Sequence, residues 1–265
     1  MDRSNFDIKK YNAEAWDSYV ENGVEWTLPV TSDQIVRARQ GDWSVGLTQD
    51  AKVPQGWFPE MKGLDVLSLA GGGGQQGPIF AAAGANVTVM DLSPAQLARD
   101  RMVADREGLT LKTVEGDMRD LSCFSDASFD LVFHPIANCY VPDILPIWAE
   151  SFRVLRPGGC LLSGLVNPIV YLFDFKIWEE EKKLVAAHRM PYSDLEHATD
   201  EDFAQYMKDK TAMEFSHCLH DAIGGQLRAG FVLTGFYEDD SKHDLLAEHL
   251  PVYFATKAEK PIIEE

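Results

Sequence analysis

A run of four glycines, followed at the end of the next apolar segment by an aspartate, has the clearest chemical meaning in this sequence of 265 residues. Within the run, Gly72-x-Gly74-x-x-Gly77 matches the fingerprint of nucleotide-binding loops. Glycines let the backbone approach a ligand closely, and the start of a following helix offers N–H groups to an anion. Asp91 stands where a carboxylate can accept hydrogen bonds from ribose hydroxyl groups. The pattern therefore predicts a site for a cofactor that contains a nucleoside.

Two other interpretations of the glycine loop stay open at this point. A G-x-G-x-x-G segment with a following acid is also typical of NAD(P)-binding Rossmann oxidoreductases, which use it to hold a pyrophosphate. Glycines at these positions also allow a helix to pack tightly on a strand without any ligand. The elements around the loop are needed to choose between the three.

Apolar runs alternate with helix signals from residue 64 to residue 166. The predicted strands are residues 64–70, 86–91, 111–117, 128–134 and 160–166. The predicted helices are residues 75–83, 93–106 and 142–155. Ser93-Pro94 is typical of a helix start, with serine as the cap and proline in the first turn. Residues 156–159, RPGG, are predicted to form a turn before the last of these strands. Repeated strand–helix units predict an α/β fold with a doubly wound, mostly parallel sheet.

Two segments do not fit this alternation. Residues 1–60 contain several tryptophans and a predicted amphipathic helix over 11–19, and we interpret them as an N-terminal helical cover over another domain. Residues 167–215 are aromatic and acidic, with predicted helices over 173–187 and 200–209. Because this long insertion precedes the last strands, we interpret it as a substrate cap.

The chain after the insertion returns to the earlier pattern. Residues 216–265 contain a predicted helix over 219–229 and predicted strands over 231–239 and 251–259, joined by a polar loop. Together with residues 61–166, this segment is predicted to complete the main domain.

The charge of the chain argues against basic partners. Asp and Glu outnumber Lys and Arg by 42 to 24, which gives a net charge of −18. No segment supplies the Lys/Arg surface that nucleic acid or anionic lipid requires, so a small molecule is expected instead. The four cysteines form no C-x-x-C pair, which predicts neither a metal site nor a disulfide framework. Without an apolar leader or spanning segment, the expected location is the cytoplasm.

Five segments resemble, in order and spacing, the successive motifs of class I S-adenosylmethionine-dependent methyltransferases: VLSLAGGGG, VTVMDLS, EGDM, SFDLVFH and LRPGG. They are most similar to the type 11 group of that family. The resemblance implies an enzyme that uses S-adenosyl-L-methionine for in-line methyl transfer. It also implies a Rossmann-like, mostly parallel sheet of seven strands with an antiparallel last strand. Residues 61–166 and 216–265 would then be the methyltransferase domain.

The same resemblance assigns cofactor contacts at the ends of the strands. Asp91 would accept the ribose hydroxyl groups, and Asp117 would accept the adenine amino group. The other implied contacts are Ser68, Ala70, Gly71, Gly72 and Gly74 near the methionine part, Leu92 and Met118 beside the adenine, and His134 on the floor of the crevice.

Two residues depart from the family pattern. Ser68 stands where the family usually has an acid that contacts the ligand's ammonium group, and Ala70 stands where its first glycine usually is. Asp65 cannot replace that acid, because a residue three positions away on a strand points to the opposite face. The departures keep open a third alternative, a non-catalytic protein that binds S-adenosylmethionine.

The acceptor side offers weaker signals. A general base is needed only where the acceptor must lose a proton, and His134 and His217 are the candidates for it, with packing as the simpler explanation of each. Asn138, Tyr140 and Tyr171 are candidate substrate contacts. The aromatic residues in this region favour a small, aromatic or apolar acceptor.

Overall fold

One sheet of seven strands organises the chain. This computed structural model describes residues 3–240 and 245–262. The strands, numbered β1 to β7 along the chain, are Asp65–Leu69, Asn86–Asp91, Leu111–Glu115, Phe129–His134, Leu155–Val166, Val232–Asp239 and Tyr253–Glu259. Their order in the sheet is β3-β2-β1-β4-β5-β7-β6, and β7 is antiparallel to both of its neighbours, whereas β3 to β5 are parallel. The predicted Rossmann-like sheet with an antiparallel last strand is confirmed.

Ten α-helices accompany the sheet in the part of the chain that the structure describes. Numbered α1 to α10, they are Ile8–Glu21, Ser32–Arg39, Gln76–Ala82, Pro94–Glu107, Leu145–Val154, Phe175–Glu181, Asp194–His197, Asp200–Asp209, Leu219–Ala222 and Gly224–Ala229. α4 begins as predicted, with the Ser93 hydroxyl accepting a hydrogen bond from Gln96 N–H at 3.0 Å. No helix within residues 3–240 and 245–262 has the length and the apolar character that crossing a membrane requires.

The two faces of the sheet carry separate apolar cores. Along β1, Val66 belongs to one core, whereas Leu67 and Leu69 belong to the other. Helices α2, α3 and α4 cover the first face, and α5, α9 and α10 cover the second. Burial on both faces explains why the inner strands β1, β2 and β4 read as mostly continuous apolar runs rather than as alternating ones.

Two element boundaries differ from the prediction near the end of α5 and in the last helical region. α5 ends at Val154 and β5 begins at the next residue, so residues 156–159 lie within an irregular start of the strand instead of a separate turn. The helix predicted over 219–229 is divided into α9 and α10. Two glycines open α10 and weaken the helix there, and a Cβ on Gly225 would come within 2.6 Å of the Trp148 ring.

The inserted segment also differs in its first helix. The helix predicted over 173–187 ends at Glu181, because Lys182 adopts the left-handed conformation with a φ of 55°. The chain then turns back, and Ala186 pairs with Phe173 in an antiparallel bridge. Part of the polar loop predicted between the last two strands, residues 241–244, lies outside the described residues.

Candidate functional site

A cavity of about 780 Å³ opens along the carboxyl ends of β1 to β4. Its lining includes residues that end or directly follow these four strands: Ala70, Asp91, Gly116 and Pro135. The chain order of the strands changes direction between β1 and β4, and open α/β sheets bind ligands in the crevice at such a point. The volume also lies in the range of small-molecule sites. These properties select the cavity as the candidate functional site.

The glycine loop uses its N–H groups within the protein. Gly72 N–H donates to Asp91 Oδ2 at 3.0 Å, and Gly73 N–H donates to Asp100 Oδ2 at 3.1 Å. The N–H groups of Gly72 and Gly73 are therefore occupied by acids of the protein itself. Asp91 and Asp100 accept N–H groups that a pyrophosphate would need, and negative charge on Asp91 would repel it. The loop favours a cationic or neutral ligand over a dinucleotide.

Burial raises the pKa of both carboxyl groups beneath the loop. For Asp91, burial outweighs the hydrogen bonds from neighbouring backbone N–H groups, which lower the pKa. For Asp100, burial and the nearby charge of Asp91 raise the pKa to about 8 against similar hydrogen bonds. Buried negative charge without a counterion is unfavourable. A positive charge bound above the loop would offset part of this penalty.

Glycine at position 72 leaves room for a ligand beside Asp91. A Cβ built on Gly72 would lie 2.9 Å from Asp91 Oδ2 and 2.8 Å from Gln96 Cβ, so a larger residue would displace the carboxylate. Ala70 has a φ of 49°, in the left-handed region that glycine adopts most easily. This conformation explains why glycine is usual at the position. The loop keeps the required shape with alanine there.

The cavity continues past β3 to a second acid. Asp117 lines it together with Leu92 and Met118, and its Oδ2 forms an ion pair with Arg119 Nη2 at 2.6 Å. Burial raises the pKa of Asp117, but the hydrogen bonds and charge of Arg119 outweigh that effect and hold the pKa below its ordinary value. An ionised acceptor beside two apolar side chains can hold a flat ring that carries an amino group. Arg119 was not among the site residues predicted from the sequence.

The structure brings nine of the predicted site residues to the cavity. They are Ala70, Gly71, Gly72, Asp91, Leu92, Asp117, Met118, Tyr140 and Tyr171. Five others lie outside its lining: Ser68, Gly74, His134, Asn138 and His217. The contacts of each of these five explain where it lies.

Ser68 and Gly74 support the glycine loop from outside the cavity lining. The Ser68 hydroxyl is buried and has no hydrogen-bond partner among the described residues. A Cβ on Gly71 would come within 2.5 Å of this hydroxyl, so Gly71 lies directly over it. The Gly74 carbonyl accepts a hydrogen bond from Val30 N–H at 2.9 Å and holds the N-terminal segment against the loop.

His134 joins two strands inside the sheet. Its side chain is fully buried, and Nδ1 lies 3.0 Å from Leu69 O, which makes Nδ1 the protonated nitrogen. Burial lowers the pKa of His134 to about 4, against the opposing effect of that hydrogen bond. The ring is therefore neutral at pH 7, and its other nitrogen lies 3.5 Å from Asn138 Nδ2. These contacts hold His134 within the sheet, outside the cavity lining.

Asn138 and His217 fix the loop after β4. Asn138 Nδ2 donates to Gly164 O at 2.7 Å, and the Asn138 carbonyl accepts from His217 Nε2 at 3.0 Å. Burial lowers the pKa of His217, although its hydrogen bonds to backbone carbonyls counteract the shift. The polar atoms of both side chains thus bind the backbone of neighbouring segments.

The N-terminal segment closes the cavity over the glycine loop. Gln75 Nε2 donates to Trp26 O at 3.2 Å and to Leu28 O at 3.0 Å. Trp16 and Trp26 line the cavity, as does the buried Asn12. Each lies in a segment without a recognised motif, so sequence reasoning assigned none of them to the site.

Glu214 is another cavity residue that sequence reasoning missed. It lies in the inserted segment between Met213 and Phe215, both of which are buried. A single acid between buried apolar residues is the local signal that could have identified it. Elsewhere in the described chain, no three His, Cys, Asp or Glu side chains converge as a metal site requires.

Comparison with known proteins identifies the family. A family described as methyltransferase domain matches residues 67–163. The uncharacterized methyltransferase YbaJ of Bacillus subtilis is 48% identical over 250 residues, covering 94% of this chain and 97% of that protein. S-adenosylmethionine-dependent methyltransferases from Mesorhizobium loti and Methanosarcina mazei have solved structures of the same fold, with TM-scores of 0.60 and 0.52 at 18% identity. The first comparison covers 77% of this chain and 94% of the other, and the second covers 78% and 96%.

The similarity to YbaJ extends over nearly the whole chain and agrees with the geometry of the loop. The Asp91 carboxylate beneath the glycines suits a cofactor with a cationic sulfonium, and S-adenosyl-L-methionine is the cofactor of this family. The chain belongs to the class I S-adenosylmethionine-dependent methyltransferases.

Proposed function

We propose that the protein transfers a methyl group from S-adenosyl-L-methionine to a small-molecule acceptor by in-line displacement. One observation carries the proposal. The cavity that holds Asp91 and Gly72 at one end continues without interruption to Tyr140 and Tyr171. A single space of about 780 Å³ accommodates a cofactor and a small acceptor together.

The acceptor end is enclosed by two segments, the N-terminal cover (residues 1–60) and the cap (residues 167–215). Phe6 of the cover packs edge-on against Phe203 of the cap with ring centroids 5.5 Å apart. The Tyr11 hydroxyl donates to Tyr206 O at 2.8 Å. This closure supports a reaction in which water is excluded and two reactants are aligned. Alignment of that kind contributes roughly 7–11 kcal/mol to catalysis.

Different residues of the chain would bind different parts of the cofactor. Gly71 and Gly72 allow close approach at the methionine part, Asp91 accepts the ribose hydroxyl groups, and Asp117 accepts the adenine amino group. When bound, S-adenosyl-L-methionine supplies an electrophilic methyl group on a cationic sulfonium. The Asp91 carboxylate beneath the loop favours this cation over the neutral product, which promotes exchange of product for fresh cofactor.

The charge of the chain supports a small molecule as the partner. With a net charge of −18, the protein would repel nucleic acid and anionic membranes. A cytoplasmic location is part of the same proposal, since the cofactor and most small metabolites are available there.

Two alternatives are less well supported. An NAD(P)-dependent oxidoreductase would need loop amides that Asp91 and Asp100 already occupy. A non-catalytic binder was suggested by the departures at Ser68 and Ala70. However, Ala70 takes the left-handed conformation expected of glycine, and Ser68 lies outside the cavity lining.

A labelling experiment tests the proposal. The purified protein would be incubated with S-adenosylmethionine carrying a trideuterated methyl group and with small-molecule, RNA and protein fractions of a cell extract. We expect labelled methyl groups in the small-molecule fraction by mass spectrometry. Label only on RNA or protein would refute the proposed acceptor class, and cofactor binding without any label would support the non-catalytic alternative. Titration with NAD(H) tests the oxidoreductase directly.

A further inference from the structure

Glu214 is held firmly at the acceptor end of the cavity. Its N–H donates to Asp194 Oδ2 at 2.6 Å, and its carbonyl accepts from Asp194 N–H at 3.1 Å. The next residue, Phe215, donates its N–H to Cys139 O at 2.7 Å. The backbone of Glu214 is thus fixed on one side to α7 and on the other to the loop after β4.

That loop connects Glu214 to the glycine loop. It begins at Pro135, whose ring carbons would lie 3.6 Å from a Cβ on Gly71. It ends with Cys139 and Tyr140, which line the cavity together with Glu214. The carboxylate is therefore joined to the methionine end of the cofactor site by one short, well-packed stretch of chain.

One oxygen of the Glu214 carboxylate accepts a hydrogen bond, and the other has no partner among the described residues. Tyr171 donates its hydroxyl hydrogen to Glu214 Oε2 at 2.8 Å, and the Tyr171 ring is stacked on Tyr192 with centroids 5.5 Å apart. Oε1 has no hydrogen-bond partner among the described residues and keeps some exposure to solvent, and Glu214 is one of the residues that line the cavity. A rigid side chain with one unpaired oxygen facing a cavity is a ready acceptor of a ligand's hydrogen bond.

No cation of the described chain compensates Glu214. The charged side chain that acts on it is Asp194, another acid, and burial and this charge raise the pKa of Glu214 to about 7 against the hydrogen bond from Tyr171. By contrast, Arg119 and Lys9 act on Asp117 at the cofactor end. A carboxylate that is largely buried without a counterion is costly, and a positive charge brought by a ligand would relieve that cost.

Aromatic rings complete the surroundings of this carboxylate. Tyr140 and Tyr171 line the same end of the cavity, and the Trp16 ring lies edge-on to Tyr140 with centroids 5.3 Å apart. Aromatic faces attract organic cations. An acid among aromatic rings discriminates against carboxylates and phosphates and favours amines.

We propose that Glu214 and the aromatic rings around it form an amine subsite, and that the methyl acceptor is a small amine bound through Glu214 Oε1. The proposal rests on the methyl-transfer function proposed above. A bound ammonium group also needs a proton acceptor before its nitrogen can react. Glu214 supplies it: one N–H bond breaks, one O–H bond forms at Oε1, and the nitrogen keeps the electron pair.

A binding experiment with matched probes tests the subsite without requiring turnover. The protein, saturated with S-adenosylhomocysteine, would be titrated by calorimetry and ligand-observed NMR with phenethylamine, 2-phenylethanol and phenylacetate, and with butylamine, butanol and butyrate. We expect the amine to bind at least about tenfold more tightly than the alcohol of its set, because its hydrogen bond is charge-assisted. Equal binding of amine and alcohol, or no binding of either amine, would overturn the proposal.

Variants link the preference to the residue. Glu214→Gln keeps an oxygen that can accept from Tyr171 but removes the charge, and we expect it to abolish the amine preference. Glu196→Gln removes one charge from an exposed position of α7 and should leave the preference intact. Tyr171→Phe, a second variant in case Glu214→Gln does not fold, should weaken amine binding while the preference persists. Preference retained in Glu214→Gln would refute the subsite.

The labelled-donor assay separates this proposal from the proposed function. If amines bind through Glu214 but none acquires a methyl group, the amine subsite is supported and the methyl-transfer function fails. If methyl groups appear on alcohols or thiols at rates that Glu214→Gln does not change, methyl transfer is supported and the amine subsite fails.

Discussion

Asn12 and Met213 exchange two hydrogen bonds across the acceptor end of the cavity. Asn12 Nδ2 donates to Met213 O at 3.1 Å, and Met213 N–H donates to Asn12 Oδ1 at 2.8 Å. The same Nδ2 donates to Tyr140 O at 3.0 Å. Since Asn12 is only 2% exposed, one side chain of α1 joins the N-terminal cover, the cap and the loop after β4.

Replacement of this asparagine should destabilise the protein strongly. Asn12→Ala leaves the Met213 N–H and two backbone carbonyls without partners in a buried position, and we expect the free energy of unfolding to fall by about 2–4 kcal/mol. Urea unfolding would measure this, and hydrogen exchange should show lost protection at Met213. The matched control is Asn22→Ala at the end of α1, where the amide bonds only the nearby Ser18. Equal effects of the two substitutions would show that Asn12 does not join the segments energetically.

Asp91 provides the most direct test of the cofactor site. Asp91→Asn removes the charge and keeps an acceptor oxygen for one of the two N–H groups, Gly72 and Ser93, that bind separate oxygens of the carboxylate. We expect S-adenosylhomocysteine to bind roughly 10–100-fold more weakly by calorimetry, because hydrogen bonds to charged groups contribute more than neutral ones. The control is Asp65→Asn, whose carboxylate pairs with Arg156 at the opposite end of β1. Unchanged affinity in Asp91→Asn, or an equal loss in Asp65→Asn, would contradict the assignment of the ribose contact.

Sequence reasoning succeeded where the information is local. The strands β1, β2 and β4 were predictable because each is a short, mostly apolar run whose residues are mostly buried. The start of α4 was predictable because Ser93 supplies its own cap. The position of Asp91 beside Gly72 follows from the parallel pairing of β1 with β2, since the carboxyl ends of both strands meet at one edge of the sheet.

Sequence reasoning failed where a contact joins segments that are far apart along the chain. Asn12 and Met213 are 201 residues apart along the chain, and no local sequence pattern indicates that they form hydrogen bonds with each other. Asp100 resembles any polar residue of a helix until the fold brings it beneath the loop to bind Gly73. Glu214 lines the cavity only once the cap (residues 167–215) has folded over it, so its position in the site could not be predicted from local sequence. Tertiary contacts, rather than propensity, decide these positions.

Asp100 should make stability depend on pH with a negative slope. Its pKa is raised to about 8 in the folded protein, against about 4 when unfolded. Between these values the folded state binds a proton that the unfolded state has released, so the free energy of unfolding falls as the pH rises. Near the middle of this window the contribution approaches about −1.4 kcal/mol per pH unit.

Urea unfolding between pH 5 and pH 9 would measure this dependence. Asp100→Asn should remove the contribution, so the slope of the variant should be less negative than that of the wild type. Groups such as Glu214, whose pKa is also raised, are present in both proteins and cancel in the difference. Asp105→Asn, on the exposed face of α4, is the control and should keep the wild-type slope. Parallel curves for Asp100→Asn and wild type would mean that Asp100 is not a buried titrating group.

Ser68 tests whether a departure from the family pattern affects cofactor binding. Its hydroxyl is buried behind Gly71 without a partner in the described residues, so Ser68→Ala should leave S-adenosylhomocysteine affinity unchanged. The free energy of unfolding should stay equal or rise by up to about 1 kcal/mol, because an unsatisfied polar group is removed. Ser93→Ala, which deletes the cap of α4, should instead cost about 1 kcal/mol. A tenfold loss of affinity in Ser68→Ala would show that this hydroxyl contacts the ligand's ammonium group after all.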